Sequence, residues 1–102
     1  MGVAELRIRA QALRDLRDIA ALGRQEHGAA ASERHLAGFE RLFRLLREQP
    51  FAGQERPELK NGVRSLSHRP HRILYRVVDG TVFIIRVLHQ SRDVKRALQR
   101  EQ

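Results

Sequence analysis

The 102-residue chain contains no cysteine and no tryptophan, and its aromatic side chains are four phenylalanines and Tyr75. Without cysteine there can be neither disulfides nor thiolate metal sites, and the absence fits a reducing compartment. So few aromatics leave little for bases to stack on, which argues against a single-strand nucleic-acid platform. Lysine is nearly missing as well: Lys60 and Lys95 are two of 20 basic residues, leaving 18 arginines. No apolar run is long enough to span a bilayer. Glu5, Arg7 and Arg9 interrupt the opening residues, so no signal peptide is read there. We therefore read the chain as cytoplasmic, with no membrane partner. It shows no repeat, low-complexity tract or linker, and residues 1–102 are read as one domain with a modest core.

Positive charge is abundant. Twenty basic residues stand against 12 acidic ones, a formal net charge of +8. Such a surface attracts nucleic acid, acidic protein or anionic lipid. The planar guanidinium fork suits carboxylate and phosphate better than an ammonium does. A merely solvated surface gives the same composition, so charge alone does not choose.

Periodicity supplies the layout. Residues 3–9 alternate, with Ala4, Leu6 and Ile8 on one side and Glu5, Arg7 and Arg9 on the other, as in a half-buried strand. From Gln11 the period lengthens, and Leu13, Leu16, Ile19 and Ala20 mark one face of a helix that stops near Gly28. Ser32 caps or begins a second helix, with Leu36, Phe39, Leu42, Phe43 and Leu46 as its apolar stripe. Gly28 between the stripes predicts an antiparallel helical hairpin. Pro50 ends the second helix, residues 51–54 form a loop, and residues 63–67 alternate as a strand. Asp79-Gly80 joins two β-branched runs, 71–78 and 81–88, as a hairpin. The expected fold is α+β: an N-terminal strand, a helical hairpin, then an antiparallel three-stranded sheet, in the order β-α-α-β-β-β.

A two-residue loop sets Val78 opposite Thr81, Arg76 opposite Phe83, Leu74 opposite Ile85 and Arg72 opposite Val87. The other face then carries His71, Ile73, Tyr75, Val77, Val82, Ile84, Arg86 and Leu88. Helices can cover one face, so the other stays partly apolar or meets a partner. The tail, 93–102, adds one short helical turn or frays.

In their order and spacing, several segments resemble the RelE/ParE superfamily of bacterial toxins, and its ParE branch most closely. They are Ala12-Leu13-Arg14-Asp15-Leu16 with Ile19, Pro50-Phe51-Ala52-Gly53, and Arg56-Pro57-Glu58-Leu59. Gly62-Val63-Arg64-Ser65, His71-Arg72-Ile73-Leu74-Tyr75-Arg76-Val77, and Val87-Leu88-His89 with Arg92-Asp93 complete the set. The resemblance implies a helical hairpin on a twisted sheet and the toxic half of a type II toxin–antitoxin pair. It implies a cognate antitoxin whose C-terminal segment covers apolar grooves and whose N-terminal part binds operator DNA. The toxin then meets that DNA only indirectly, and no cofactor is implied. ParE-like members are described as inhibitors of DNA gyrase, whereas RelE-like members cleave mRNA on the ribosome.

These two targets ask for different residues. A nuclease must orient the 2′-hydroxyl, stabilise the phosphorane and protonate the leaving oxygen. Arg64 stands at the family's strand arginine, but Gln90 replaces a further arginine and Arg96 lies near the expected tyrosine. Gln54, Glu55 and Arg56 occupy the loop where lysines belong. The RelE-like alternative therefore rests on Arg64, His89 and Arg92, with His89 as proton donor. A gyrase inhibitor needs a recognition surface instead, for which Arg64, Arg72, Tyr75, Arg76, Arg86, His89 and Arg92 are the candidate antitoxin- or target-binding residues. Gyrase inhibition is the function we read, with ribosome-dependent cleavage as the alternative.

Structural roles compete for the same side chains. Tyr75 suits a core aromatic whose hydroxyl bonds at the rim. Arg86 suits a buried ion pair with Asp15, Glu58 or Asp93, and Arg92-Asp93 a local surface pair. His68, His71 and His89 lack an adjacent carboxylate or thiolate to complete a metal shell, so no metal is expected.

Overall fold

One glycine organises the helical half of the molecule. The computed structural model describes residues 2–99. In it β1 (Glu5–Ile8) leads into α1 (Ala10–His27) and α2 (Ala29–Glu48), with Gly28 alone between the helices. Gly28 adopts φ 87°, donates its N–H to Arg24 O at 3.0 Å and accepts from Ser32 N at 3.1 Å. It closes one helix and starts the next in a conformation that costs a side-chain-bearing residue strain. Ser32 therefore neither caps nor begins α2. Its hydroxyl instead donates to Ala20 O, 3.1 Å away across the hairpin. Gly23 makes the approach possible, since a Cβ there would stand 3.1 Å from Ser32 Oγ.

β2 (Gln54–Glu55), β3 (Arg64–His68), β4 (His71–Val78), β5 (Thr81–His89) and α3 (Val94–Gln99) complete the chain. The architecture is α+β as expected, but the sheet has five strands in the order β1-β5-β4-β3-β2. The N-terminal strand joins it as a parallel edge against β5, and the rest is antiparallel. Parallel pairing needs a long crossover, which the helical hairpin and the strands after it provide. β2, only two residues long, carries too little alternation to be seen in the sequence.

Asp79 and Gly80 turn with φ 50° and 76°, and the hairpin starts as predicted, with Val78 opposite Thr81 and Arg76 opposite Phe83. Beyond Tyr75 and Ile84 a bulge intervenes. Leu74 then faces Arg86, Ile73 faces Val87 and Arg72 faces Leu88. The predicted Leu74–Ile85 and Arg72–Val87 pairs are thus corrected by one residue, because strict period-two counting carries no signal for an extra residue.

The bulge divides the aliphatics of β5 between two cores. Val82, Ile84 and Val87 join Ala12, Phe39, Leu46, Ile73 and Tyr75 beneath the helices. Ile85 and Leu88 turn to the other face with Val63 and Leu74. There the tail forms a short helix rather than fraying, and Val94, Ala97 and Leu98 of α3 close over that second cluster. Residues 100–102 lie outside the described part of the tail.

Candidate functional site

Asp15 projects from the first turns of α1 onto β5. Arg86 Nε donates to its Oδ2 at 2.8 Å and Arg86 Nη2 to its Oδ1 at 3.0 Å, while the Val87 N–H reaches Oδ2 at 2.9 Å. Of the three carboxylates considered from sequence, Asp15 is the partner. Arg86 is 6% and Asp15 8% exposed, so Arg86 is removed from the surface set of antitoxin or target contacts. A bidentate pair at this depth is held by geometry, and it pins α1 to the bulged strand.

Tyr75 is fully buried, and this too corrects its place among the contact residues. Its hydroxyl accepts the Gly53 N–H at 2.7 Å, which seats the loop after α2. A Cβ on Gly53 would stand 2.6 Å from that hydroxyl and 2.7 Å from Ser65 O, so only glycine passes. Burial raises the phenol above its ordinary pKa against smaller opposing effects of the Gly53 N–H and Arg64, so it stays protonated at neutral pH. Tyr75→Phe leaves the buried Gly53 N–H without an acceptor and is expected to cost about 1–3 kcal/mol in denaturant unfolding.

Arg64 grips the same loop from its other side. Nη1 donates to Gly53 O at 2.8 Å and Phe51 O at 3.3 Å, Nη2 pairs with Glu55 at 3.0 Å, and its Cζ lies 4.9 Å from the Phe51 ring centroid. Phe51 is 64% exposed. The pair is a cationic and aromatic knob at the β2 edge of the sheet.

At the opposite end of the sheet, histidines gather. His35 from α2, His68 from β3 and His71 from β4 pack around the buried Phe39 ring, with His89 of β5 beyond. His35 Nε2 and His71 Nδ1 share a hydrogen bond of 2.8 Å. His68 stacks on His35 at 4.3 Å between centroids, and its Nε2 lies 2.8 Å from His35 O. Gly38 makes room for this, since a Cβ there would collide with the His68 ring. Burial, then the neighbouring imidazoles of His35, His89 and His68, push His71 down to about 4. His35 is lowered by burial and by His68. Both rings are therefore neutral at physiological pH.

His35, His71 and His89 border a groove of about 520 Å³ between α1 and the end of the β4–β5 hairpin. Ile19 and Leu22 of α1 with Val87 and Leu88 of β5 supply its apolar surface. Asp18 and Glu26 line the α1 side, while His35, His71, His89 and Arg92 line the other. Leu22 is 54% exposed, an apolar side chain offered to solvent at the groove's edge. Among the described residues no group of three or more His, Asp or Glu side chains is disposed to hold a metal ion.

The remaining predicted residues fall into two places. His89 and Arg92 meet at the groove, where His89 Nδ1 accepts from the Ser91 hydroxyl at 2.7 Å. Arg72 and Arg76 lie on the sheet face away from the long helices, Arg76 in register with Phe83 and Arg7. Arg9 caps that row, its Cζ 5.3 Å from the Phe83 centroid. Arg64 pairs across β3–β4 with Tyr75, whereas His68 pairs with His71 and His71 with His89. About 14 Å of strand therefore separates Arg64 from the His89 level, so the set Arg64, His89 and Arg92 does not converge. Sequence reasoning missed His35, Asp18, Leu22 and Glu26. His35 had a signal, because 32, 35, 39, 42 and 46 follow the three-four spacing of an inward stripe.

Comparison with known proteins agrees with this fold. The family model described as the ParE toxin of the type II toxin–antitoxin system parDE matches residues 6–94. Toxin ParE1 of Mycobacterium tuberculosis is 35% identical over 72 residues, 70% of this chain and 74% of that protein. Toxin ParE3 of Caulobacter vibrioides is 31% identical over 64 residues, 63% of this chain and 64% of that protein. Among solved structures, the chromosomal ParDE system of P. aeruginosa superposes with a TM-score of 0.74 at 21% identity, covering 85% of this chain and 96% of that one. The M. tuberculosis toxin–antitoxin complex RelBE2 gives 0.64 at 29% identity, covering 85% and 98%. A mutant of the E. coli toxin RelE in its free state gives 0.65 at 20% identity, covering 98% and 99%. With residues 6–94 matched by the family model, the chain belongs to the ParE toxin family of type II toxin–antitoxin systems, within the RelE/ParE superfamily.

Proposed function

We propose that this toxin acts in the cytoplasm on DNA gyrase, and that a cognate antitoxin neutralises it by laying a segment into the groove between α1 and the β4–β5 hairpin. The observation that carries the target assignment is the separation of Arg64 from His89 and Arg92. Phosphodiester cleavage needs a base, an acid and a cationic clamp within reach of one phosphate, whereas this chain spreads its cations over separate patches. Patches of that kind suit recognition of a large acidic surface. The test is supercoiling of relaxed plasmid by gyrase and ATP with the purified toxin added, beside a ribosome and mRNA reaction. Loss of supercoiling or gyrase-dependent plasmid breakage with intact mRNA is the expected result. Codon-positioned mRNA cuts with gyrase unaffected would establish the RelE-like alternative.

The antitoxin is inferred from the solved ParDE and RelBE2 assemblies, and the groove from its exposed apolar edge. Operator DNA then meets the toxin only through the antitoxin. Leu22→Glu places a charge where an apolar anchor should seat. It is expected to weaken antitoxin binding by about 30-fold or more, the cost of a hot-spot residue. The thermal midpoint should stay near the parent's because the side chain is already half exposed. Unchanged affinity by calorimetry would move the antitoxin to another face.

A further inference from the structure

The histidine cluster joins separate parts of the chain by contacts that tolerate only a limited number of protons. The bond between His35 Nε2 and His71 Nδ1 is 2.8 Å long and needs one ring nitrogen bare. A first proton can be accommodated there, but a second makes both nitrogens donors and the bond is lost. His68, stacked on His35, makes a proton on that ring less favourable. Hydrogen bonds between His35 and His71 and between His68 Nε2 and His35 O tie α2 to β4 and β3 beside the Phe39 core, and His35, His71 and His89 form one wall of the groove.

We propose that the hydrogen-bonded His35–His71 joint is a proton-operated latch for the groove: with both rings neutral it holds the wall that the antitoxin segment seats against, and proton uptake parts α2 from β4 and releases the segment. The inference rests on the docking site proposed above, and it names the regulation of that site.

Charged and titratable groups face the joint from every element around it. On α1, Asp18 and Glu26 face the groove with His27, while Asp15 is committed to Arg86. On α2 the facing titratable group is His35, and on β3 it is His68. β4 presents His71, β5 presents His89, and Arg92 follows at the rim. Asp18 and Glu26 form no ion pair among the described residues, so no carboxylate is bonded to the imidazoles to keep them charged in place. Opening the joint returns the His35 and His71 rings to water, where their affinity for a proton rises toward the ordinary imidazole value near 6.5. Protons accordingly favour the open form progressively below that pH, and the closed form is fully favoured above it.

The experiment uses the full-length toxin and a peptide of the cognate antitoxin's C-terminal segment. Affinity is measured by calorimetry from about pH 7.5 to about pH 5.5, with a parallel NMR titration of the imidazole Cε1–H signals in the free toxin. For the parent, affinity should fall by up to about tenfold per linked proton over each pH unit below 6.5. The His35 and His71 signals should titrate together, with amide shifts moving in α2 and β4. The double variant His35→Gln/His71→Gln keeps hydrogen-bonding side chains without titrating, so its affinity should vary less than about twofold over the same range. Equal pH dependence in parent and variant would overturn the latch, as would independent His titration with static α2 and β4 amides. Failure of docking is distinguishable: Leu22→Glu would then leave affinity unchanged, while the NMR titration would still report whether the joint opens.

Discussion

Replacing Asp15 with alanine is expected to remove about 3–5 kcal/mol of stability, a large fraction of the 5–15 kcal/mol available to a domain of this size. The carboxylate accepts two hydrogen bonds from Arg86 and one from the Val87 N–H, at 2.8 to 3.0 Å. Alanine would leave a guanidinium only 6% exposed without that carboxylate, next to a backbone N–H that loses its acceptor. Urea unfolding followed by circular dichroism measures the loss. The double replacement Asp15→Leu/Arg86→Met removes both charges and should recover most of it, because the net worth of such a pair is small once neither partner is left alone. A single variant within about 0.5 kcal/mol of the parent would show that the pair holds position without holding stability. The pair ties α1 to β5 beneath the groove, so under the docking proposed above antitoxin affinity should also fall.

Phe39→Ala should cost a comparable amount, about 3–5 kcal/mol, for a different reason. The ring is 1% exposed and meets His68 at 4.6 Å, His35 at 5.0 Å, His71 at 6.0 Å and Phe43 at 6.4 Å between centroids. Its removal opens a cavity at the junction of α2 with three strands, and water would then reach the imidazoles. His71 is pushed down to about 4 chiefly by burial, so its pKa should return toward 6.5 in the variant. In the parent, a folded-state value below the unfolded one means stability is complete above pH 6.5 and declines as pH falls toward 4. The variant should therefore be less stable at neutral pH yet lose less on acidification. Parallel stability curves from about pH 7.5 to 4.5 would contradict the burial account.

The helical half was legible because amphipathic spacing is local. A period near 3.6 in 13–20 and again in 36–46, with glycine at 28, leaves few alternatives to a helical hairpin. Asp79-Gly80 announced its turn for the same reason: both positions take positive φ, and side-chain chemistry within two residues decides that. The bulge beyond Ile84 had no such local mark. It accompanies a contact with another element, where Asp15 accepts from the Arg86 guanidinium and the Val87 N–H. Arg86 and Tyr75 carried two readings in sequence, contact residue or buried polar anchor, because a window of sequence shows the charge and the hydroxyl but not the partner. Asp15 and the Gly53 N–H supplied partners inside, and both side chains went there.

The chain by itself determined an α+β layout, its cationic surface, the absence of disulfides and, through its ordered segments, its place among the toxins of type II modules. Those properties come from composition and short-range periodicity, which act within a few residues along the backbone. Only the tertiary structure decided that β1 runs parallel to β5, that α3 seals a second core, and that Arg64 and His89 stand at opposite ends of the sheet. It alone brought His35, His68, His71 and His89 together from four elements. Meetings across so much chain depend on which buried polar groups find partners once the apolar faces close, and no short window of sequence contains both members of such a pair.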